Sequence, residues 1–121
     1  MPPPSPTPQD LIDAIENWLG ALLPSRYVDF LLTHTEQIFG DEVLLYPADY
    51  LIERNEAFET KTYCPGYIAI GDDSGGRAFL IPIDKPLDTV YMVGHGYMSP
   101  KGFRALPLGF GQWLSEGCPL P

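Results

Sequence analysis

The chain has 121 residues, 45% of them apolar and 12% aromatic, which is enough for one buried core, too little for two, and far from the composition of a disordered chain. Its 16 acids outnumber 7 lysines and arginines, giving a formal charge of −9; a surface of that sign repels phosphate, which disfavours nucleic acid and anionic membranes as partners and favours basic proteins. Cys64 and Cys118 are too few for a disulfide scaffold and lack the C-x-x-C spacing of a zinc or redox site, so free thiols are expected.

Residues 1–8 hold five prolines, which forbid helix and favour extended polyproline II, so a flexible tail is expected there and a single α+β domain over 9–121. Pro3, Pro4, Ser5 and Pro6 fit the P-x-x-P shape, without a flanking base. There is no basic segment followed by an apolar run and no stretch long enough to span a bilayer, so a cytoplasmic location is expected.

Thr7 and Pro8 read as N-cap and first residue of a helix, with Asp10 in the first turn where the helix dipole favours an acid. Leu11, Ile12, Ile15, Trp18, Leu19 and Leu22 follow at helical spacing, and Gly20 is a stop signal. Pro24 opens a second helix whose apolar face is Tyr27, Val28, Phe30, Leu31 and Leu32, and the chain loosens toward Gly40. Residues 43–46 read as a short strand and Pro47 as the start of a third helix. From Tyr67 the period changes to two. Residues 67–70 and 78–83 read as the strands of a hairpin joined by the glycine-rich turn 71–76, and residues 89–93 as a third strand. Residues 103–106 suit an edge strand, and Phe110, Trp113 and Leu114 a last short helix. Helices first, antiparallel strands next and a helix last indicate an α+β fold.

Three segments in this order resemble the SUKH superfamily, which takes in fungal cell-wall assembly regulators and many bacterial immunity proteins. Leu23, Pro24, Tyr27, Phe30 and Leu31 are similar to its Leu-Pro-x-x-Tyr-x-x-Phe-Leu helix start. The run Tyr67, Ile68, Ala69, Ile70, Gly71 through Gly75 and Gly76 resembles its strand and glycine-rich turn. Val90 and Tyr91, then Phe110, Trp113 and Leu114, resemble its last central strand and terminal helix. The pattern is departed from in two places: His34, Thr35 and Glu36 replace a glycine pair, and Arg77 stands where Asp or Asn is frequent. The resemblance implies a central antiparallel sheet flanked by N-terminal helices and a short C-terminal helix. It also implies a non-catalytic, protein-binding role: an immunity protein that binds and neutralises a cognate bacterial toxin, or alternatively a regulatory or scaffold domain without a toxin partner.

The residues themselves offer weaker chemical readings. Asp73, Ser74, Gly75 and Gly76 look like the serine-protease nucleophile motif, but a serine there needs a base and an oxyanion hole, and His34 and His95 carry no matching signature. Gly71 and Gly76 have phosphate-loop spacing, yet Arg77 and Ala78 replace the Lys-Ser/Thr pair and Asp72 and Asp73 repel phosphate. The two aspartates also miss the spacing of a calcium loop. His34, His95, Cys64 and Cys118 show no local metal-ligand pair, and no cofactor is expected. Residues 41–60 concentrate six acids against Arg54 alone, −5 of the −9 charge. Glu53, Glu56 and Glu59 fall at i, i+3 and i+6, so two of them can share a helix face; paired carboxylates can serve hydrolases, while a solvated face is the commoner use. The expected partner-binding residues are therefore Asp41, Glu42, Glu53, Glu56 and Glu59, joined by Asp72 and Asp73 on the hairpin turn, facing a basic surface.

Overall fold

The computed structural model describes residues 7–33, 38–39, 43–83 and 89–120. Helix α1 (Pro8–Leu19) starts in a capping box: the Thr7 side chain accepts from the Asp10 N–H at 3.1 Å while the Asp10 carboxylate accepts from the Thr7 N–H at 3.0 Å. It ends at Gly20, whose φ of 72° is the left-handed cap that glycine adopts without strain. The apolar stripe stops with it. Leu22, placed on that stripe by spacing, is 67% exposed, and Leu23 turns into the core instead. The Glu16 carboxylate fixes this exit by accepting from the Leu23 N–H at 2.8 Å. Helix α2 (Ser25–Thr33) buries Tyr27, Phe30 and Leu31.

Strands β1 (Ile38–Phe39) and β2 (Leu44–Leu45) precede helix α3 (Ala48–Phe58) and the single turn α4 (Thr60–Tyr63). The hairpin follows as β3 (Tyr67–Asp72) and β4 (Arg77–Pro82), then β5 (Thr89–Gly94), two 3₁₀ turns, β6 (Arg104–Gly109) and helix α5 (Phe110–Ser115). The six strands lie in chain order in one antiparallel sheet, the α+β class read from the sequence. Pro107 sits in β6, the edge strand, where a missing N–H costs no ladder bond.

Alternation along the strands sorts the core into two layers. Ile68, Ile70, Phe79, Ile81, Val90 and Met92 face Ile12, Ile15, Tyr27, Phe30, Leu31 and Leu51 from the first three helices. Helix α5 closes this layer: Phe110 meets Tyr27 and Phe30 edge-on at 5.7 and 5.8 Å, and Trp113 lies 5.5 Å from Phe79. The opposite face buries the smaller set Ala69, Ala78, Leu80 and Val93 with Cys64. The helical cover is thus wider than the first two helices alone, because α3 lies between α1 and β3.

Helix α3 is tied to the sheet by Asn55, which is fully buried. Its Nδ2 donates to the Leu51 and Ala69 carbonyls, each at 2.9 Å, and its Oδ1 accepts from the Ala69 N–H at 2.7 Å and the Thr60 hydroxyl at 2.8 Å. The side chain therefore pairs with Ala69 as a neighbouring strand residue would, just past the end of β2. Replacing Asn55 by alanine strands the Ala69 N–H and C=O in a dry interior and leaves the Thr60 hydroxyl only its longer bond to the residue-55 backbone carbonyl, 3.3 Å. Since each orphaned group costs about 1–3 kcal/mol, Asn55→Ala is expected to lose about 3 kcal/mol or more in urea unfolding. Asn55→Asp keeps the shape and loses both donors, so it is expected to be no better at neutral pH.

Candidate protein-binding surface

The acids singled out in the sequence divide into two groups with different surroundings. Asp41 and Glu42 lie outside the described residues. Asp72 and Asp73 are engaged by the fold. Asp72 does not sit on the turn but ends β3, where its Oδ2 accepts from the Tyr46 hydroxyl at 2.5 Å and its Oδ1 from the Ser74 N–H at 2.9 Å. Burial, and then the bond to Asp72 and its charge, drive the Tyr46 phenol far above its usual range. Asp73 builds the turn itself: its Oδ1 accepts from the Gly75 and Arg77 N–H groups at 2.8 and 2.9 Å, and its Oδ2 lies 3.3 Å from Arg77 Nε. Burial by itself raises the Asp73 carboxyl, but these two N–H groups and the Arg77 charge outweigh it and hold the group below the ordinary carboxylate value.

Turn geometry also accounts for the serine motif. Ser74 and Gly76 have φ of 58° and 106°, the positive values a tight hairpin turn requires. His95 donates its backbone N–H to the Gly76 carbonyl but packs its ring at a tilt against Phe58, 4.8 Å between centroids. Among the described residues no hydrogen bond joins it to the Ser74 hydroxyl, and no group of three or more His, Cys, Asp or Glu is placed to hold a metal. Both cysteines are buried and unpaired; burial raises the Cys64 thiol and pushes that of Cys118 up to about 11, leaving both protonated at neutral pH.

The second group of acids faces water. Asp49, Glu53 and Glu56 stand at i, i+4 and i+7 on the exposed side of α3, opposite the inward Leu51 and Asn55. Glu59 does not continue the helix as the i+6 spacing implied. It is the left-handed cap with φ 54° that ends α3 and starts α4. Two aromatic side chains that the acidic count overlooked flank this ridge: Tyr50, 43% exposed, and Tyr63, 51% exposed. Beside Tyr50 is a cleft of about 320 Å³ lined by Leu44, Tyr46, Glu53, Arg54 and Asp72, so one acid from each group meets there. Arg54 lies with its guanidinium 5.4 Å over the Phe58 ring, and its Nε is buried without a hydrogen-bond partner.

Asp49 lies in the first turn, where the dipole favours an acid, but the rest of the ridge works against its own helix. Like charges at i, i+3 and i+4 destabilise by about 0.2–0.5 kcal/mol per pair. Glu56 sits in the last turn, where the dipole disfavours an acid by about 0.3–1 kcal/mol, and no base occupies that turn. Glu59 holds a backbone conformation that suits glycine or asparagine. Glu56→Lys is therefore expected to raise stability by about 0.5–1 kcal/mol at low salt, read as a higher thermal midpoint that converges on the native value as salt is added.

Asp73 gives a prediction of opposite sign. A depressed carboxyl stabilises the fold above its unfolded-state value, and that contribution is lost as pH falls toward the lower folded value. Asp73→Asn is thus expected to be less stable than the native chain near neutral pH, with the gap closing as the pH drops below about 4, in urea unfolding across a pH series.

Two comparisons with known proteins bear on what such a surface belongs to. The profile of the SMI1 / KNR4 family (SUKH-1) matches residues 6–116. A Bacillus subtilis (strain 168) protein named "Uncharacterized protein YnaB" is 33% identical over 92 residues, which cover 76% of this chain and 57% of that protein. The chain thus spans little more than half the length of this relative. No helix among the described residues is long and apolar enough to cross a membrane. The family match takes in every helix and strand from α1 to α5, and on that ground the chain belongs to the SMI1 / KNR4 family (SUKH-1).

Proposed function

We propose that the chain is a non-catalytic immunity protein, which neutralises a basic toxin by forming a stoichiometric complex through the outer face of α3. The observation that carries this reading is the ridge Asp49, Glu53 and Glu56, continued by Glu59 and flanked by Tyr50 and Tyr63. Like-charged neighbours along one helix, an acid in its last turn and a left-handed glutamate are poor choices for stability, and such local costs persist where a surface is selected for binding. Tyrosine adds what charge lacks, a large rigid contact area with few rotamers, and it is enriched at the centres of protein interfaces.

Family membership supports the same reading, and the bacterial relative favours a toxin over a fungal regulatory partner. Of the other expected contact residues, Asp72 reaches the surface beside Glu53 in the cleft, whereas Asp73 is neutralised by Arg77 and contributes little. A surface of this charge steers a cationic partner from solution and repels nucleic acid.

The test is co-expression with the protein encoded by the adjacent gene, followed by association kinetics of the purified pair. Protection is expected at about one molecule per toxin; protection far below that ratio means turnover and overturns the binding mechanism. Association is expected to slow with salt, and Glu53→Lys/Glu56→Lys/Glu59→Lys to slow it by about tenfold or more at low salt. A rate indifferent to both removes α3 as the contact face.

A further inference from the structure

At the far end of the ridge from Tyr50 lies a groove of about 590 Å³, lined by Ala57, Phe58, Glu59, Tyr63, His95 and Met98 among others. We infer that this groove is the anchor pocket of the α3 surface: it receives one apolar side chain, of the size of leucine or phenylalanine, carried on a basic segment of the partner. The inference rests on the docking reading above and adds to it where the contact is tightest and what fills it.

Three independent features support it. The floor is held in place before any partner arrives, since the Phe58 ring is contacted by the Arg54 guanidinium and by the His95 ring; binding there immobilises little that was free. Met98 is half-buried on the wall, and its unbranched thioether adapts to apolar groups of different shape. Tyr63 stands on the lip with 51% of its surface in water, and it is there because Glu59 takes the left-handed conformation that swings α4 away from the axis of α3. A strained non-glycine residue thus creates the groove and at the same time supplies a carboxylate at its rim.

Charge decides the occupant. Glu59 lines the opening and Glu56 is exposed three residues before it, so a second copy of this chain would bring the same acids against each other, and an anionic membrane would meet the same repulsion. A basic segment satisfies the rim while its apolar side chain enters the groove, the helix-in-groove or single-anchor arrangement known from peptide recognition.

The probes are two 14-residue lysine-rich helical peptides that differ at one central position, phenylalanine in one and alanine in the other. They are titrated into the full chain and followed by NMR at the Met98 methyl and the Gly96 amide. The phenylalanine peptide is expected to bind at least tenfold more tightly and to shift both signals. That advantage is expected to vanish in Tyr63→Ser, which removes the lip, and in Ala57→Gln, which fills the groove from an exposed helix position. Glu53→Lys/Glu56→Lys/Glu59→Lys is expected to weaken both peptides equally. If the two peptides bind the native chain alike, or if the advantage survives in either variant, the anchor pocket is overturned while a weakening by the triple reversal leaves the acidic surface standing. If the reversal changes nothing, the surface reading falls as well.

Discussion

The amide of Asn55 is the interaction on which the arrangement of this molecule turns. A sheet whose second strand is two residues long leaves its neighbour β3 without a strand partner on the β2 side at Ala69, and an unpaired peptide group in a dry interior is costly. Asn55 supplies both missing bonds from a helix, and its two remaining bonds go to the Leu51 carbonyl and the Thr60 hydroxyl. Every polar position of the side chain is used. A helix held to the sheet by a pair of bonds at one buried residue has little freedom to roll about its axis, so the residues turned away from Asn55, Glu53 and Ala57 among them, are fixed as the outer face. The identity of the exposed surface follows from the buried amide.

The close approach of β2 to β3 places a matching demand on the sheet. A Cβ on Gly71 would meet the Leu44 carbonyl oxygen at 2.3 Å, a backbone atom that cannot step aside. Glycine is needed there for contact and not for a turn, which moves it from the hairpin loop into the strand. The next residue, Asp72, then faces Tyr46 across the end of β2, and Asp73 is left to organise the turn with Arg77. Carboxylates that look alike in the sequence so come to different uses: two hold backbone and phenol groups in place, while those on α3 remain in water.

Much of the architecture was legible because it depends on local rules. The Thr7 cap, the Gly20 stop, Pro47 ahead of α3 and the change of period at Tyr67 each express a short-range steric or hydrogen-bonding preference, and each recurs in the fold within a residue or two. Leu22 failed because periodicity continues on paper past a left-handed cap that redirects the chain. Strand β1 went unseen, since two residues carry no alternation. Asn55 gave no signal at all: a buried amide and a solvated one are the same letter, and its partner lies 14 residues away. The acidic segment was visible as a count, yet its division into ridge and turn, and the flanking tyrosines, needed the geometry. Glu59 illustrates the limit, because i+6 spacing assumes a helix that runs through it, and α3 ends one residue earlier.

Charge and contact do separate work on such a surface. Exposed carboxylates attract over a Debye length of about 8 Å at physiological salt, which speeds encounter, but an exposed ion pair holds a complex by only about 0–1 kcal/mol once formed. A long-lived complex therefore requires buried apolar area close to the acids, and leucine or phenylalanine displayed there would invite self-association in the unbound chain. Tyrosine resolves the conflict, since its ring offers the area and its hydroxyl keeps it wetted. With −9 of net charge opposing contact between copies, the chain can present Tyr50 and Tyr63 to solvent, and under the proposed function they are kept for a partner of opposite sign.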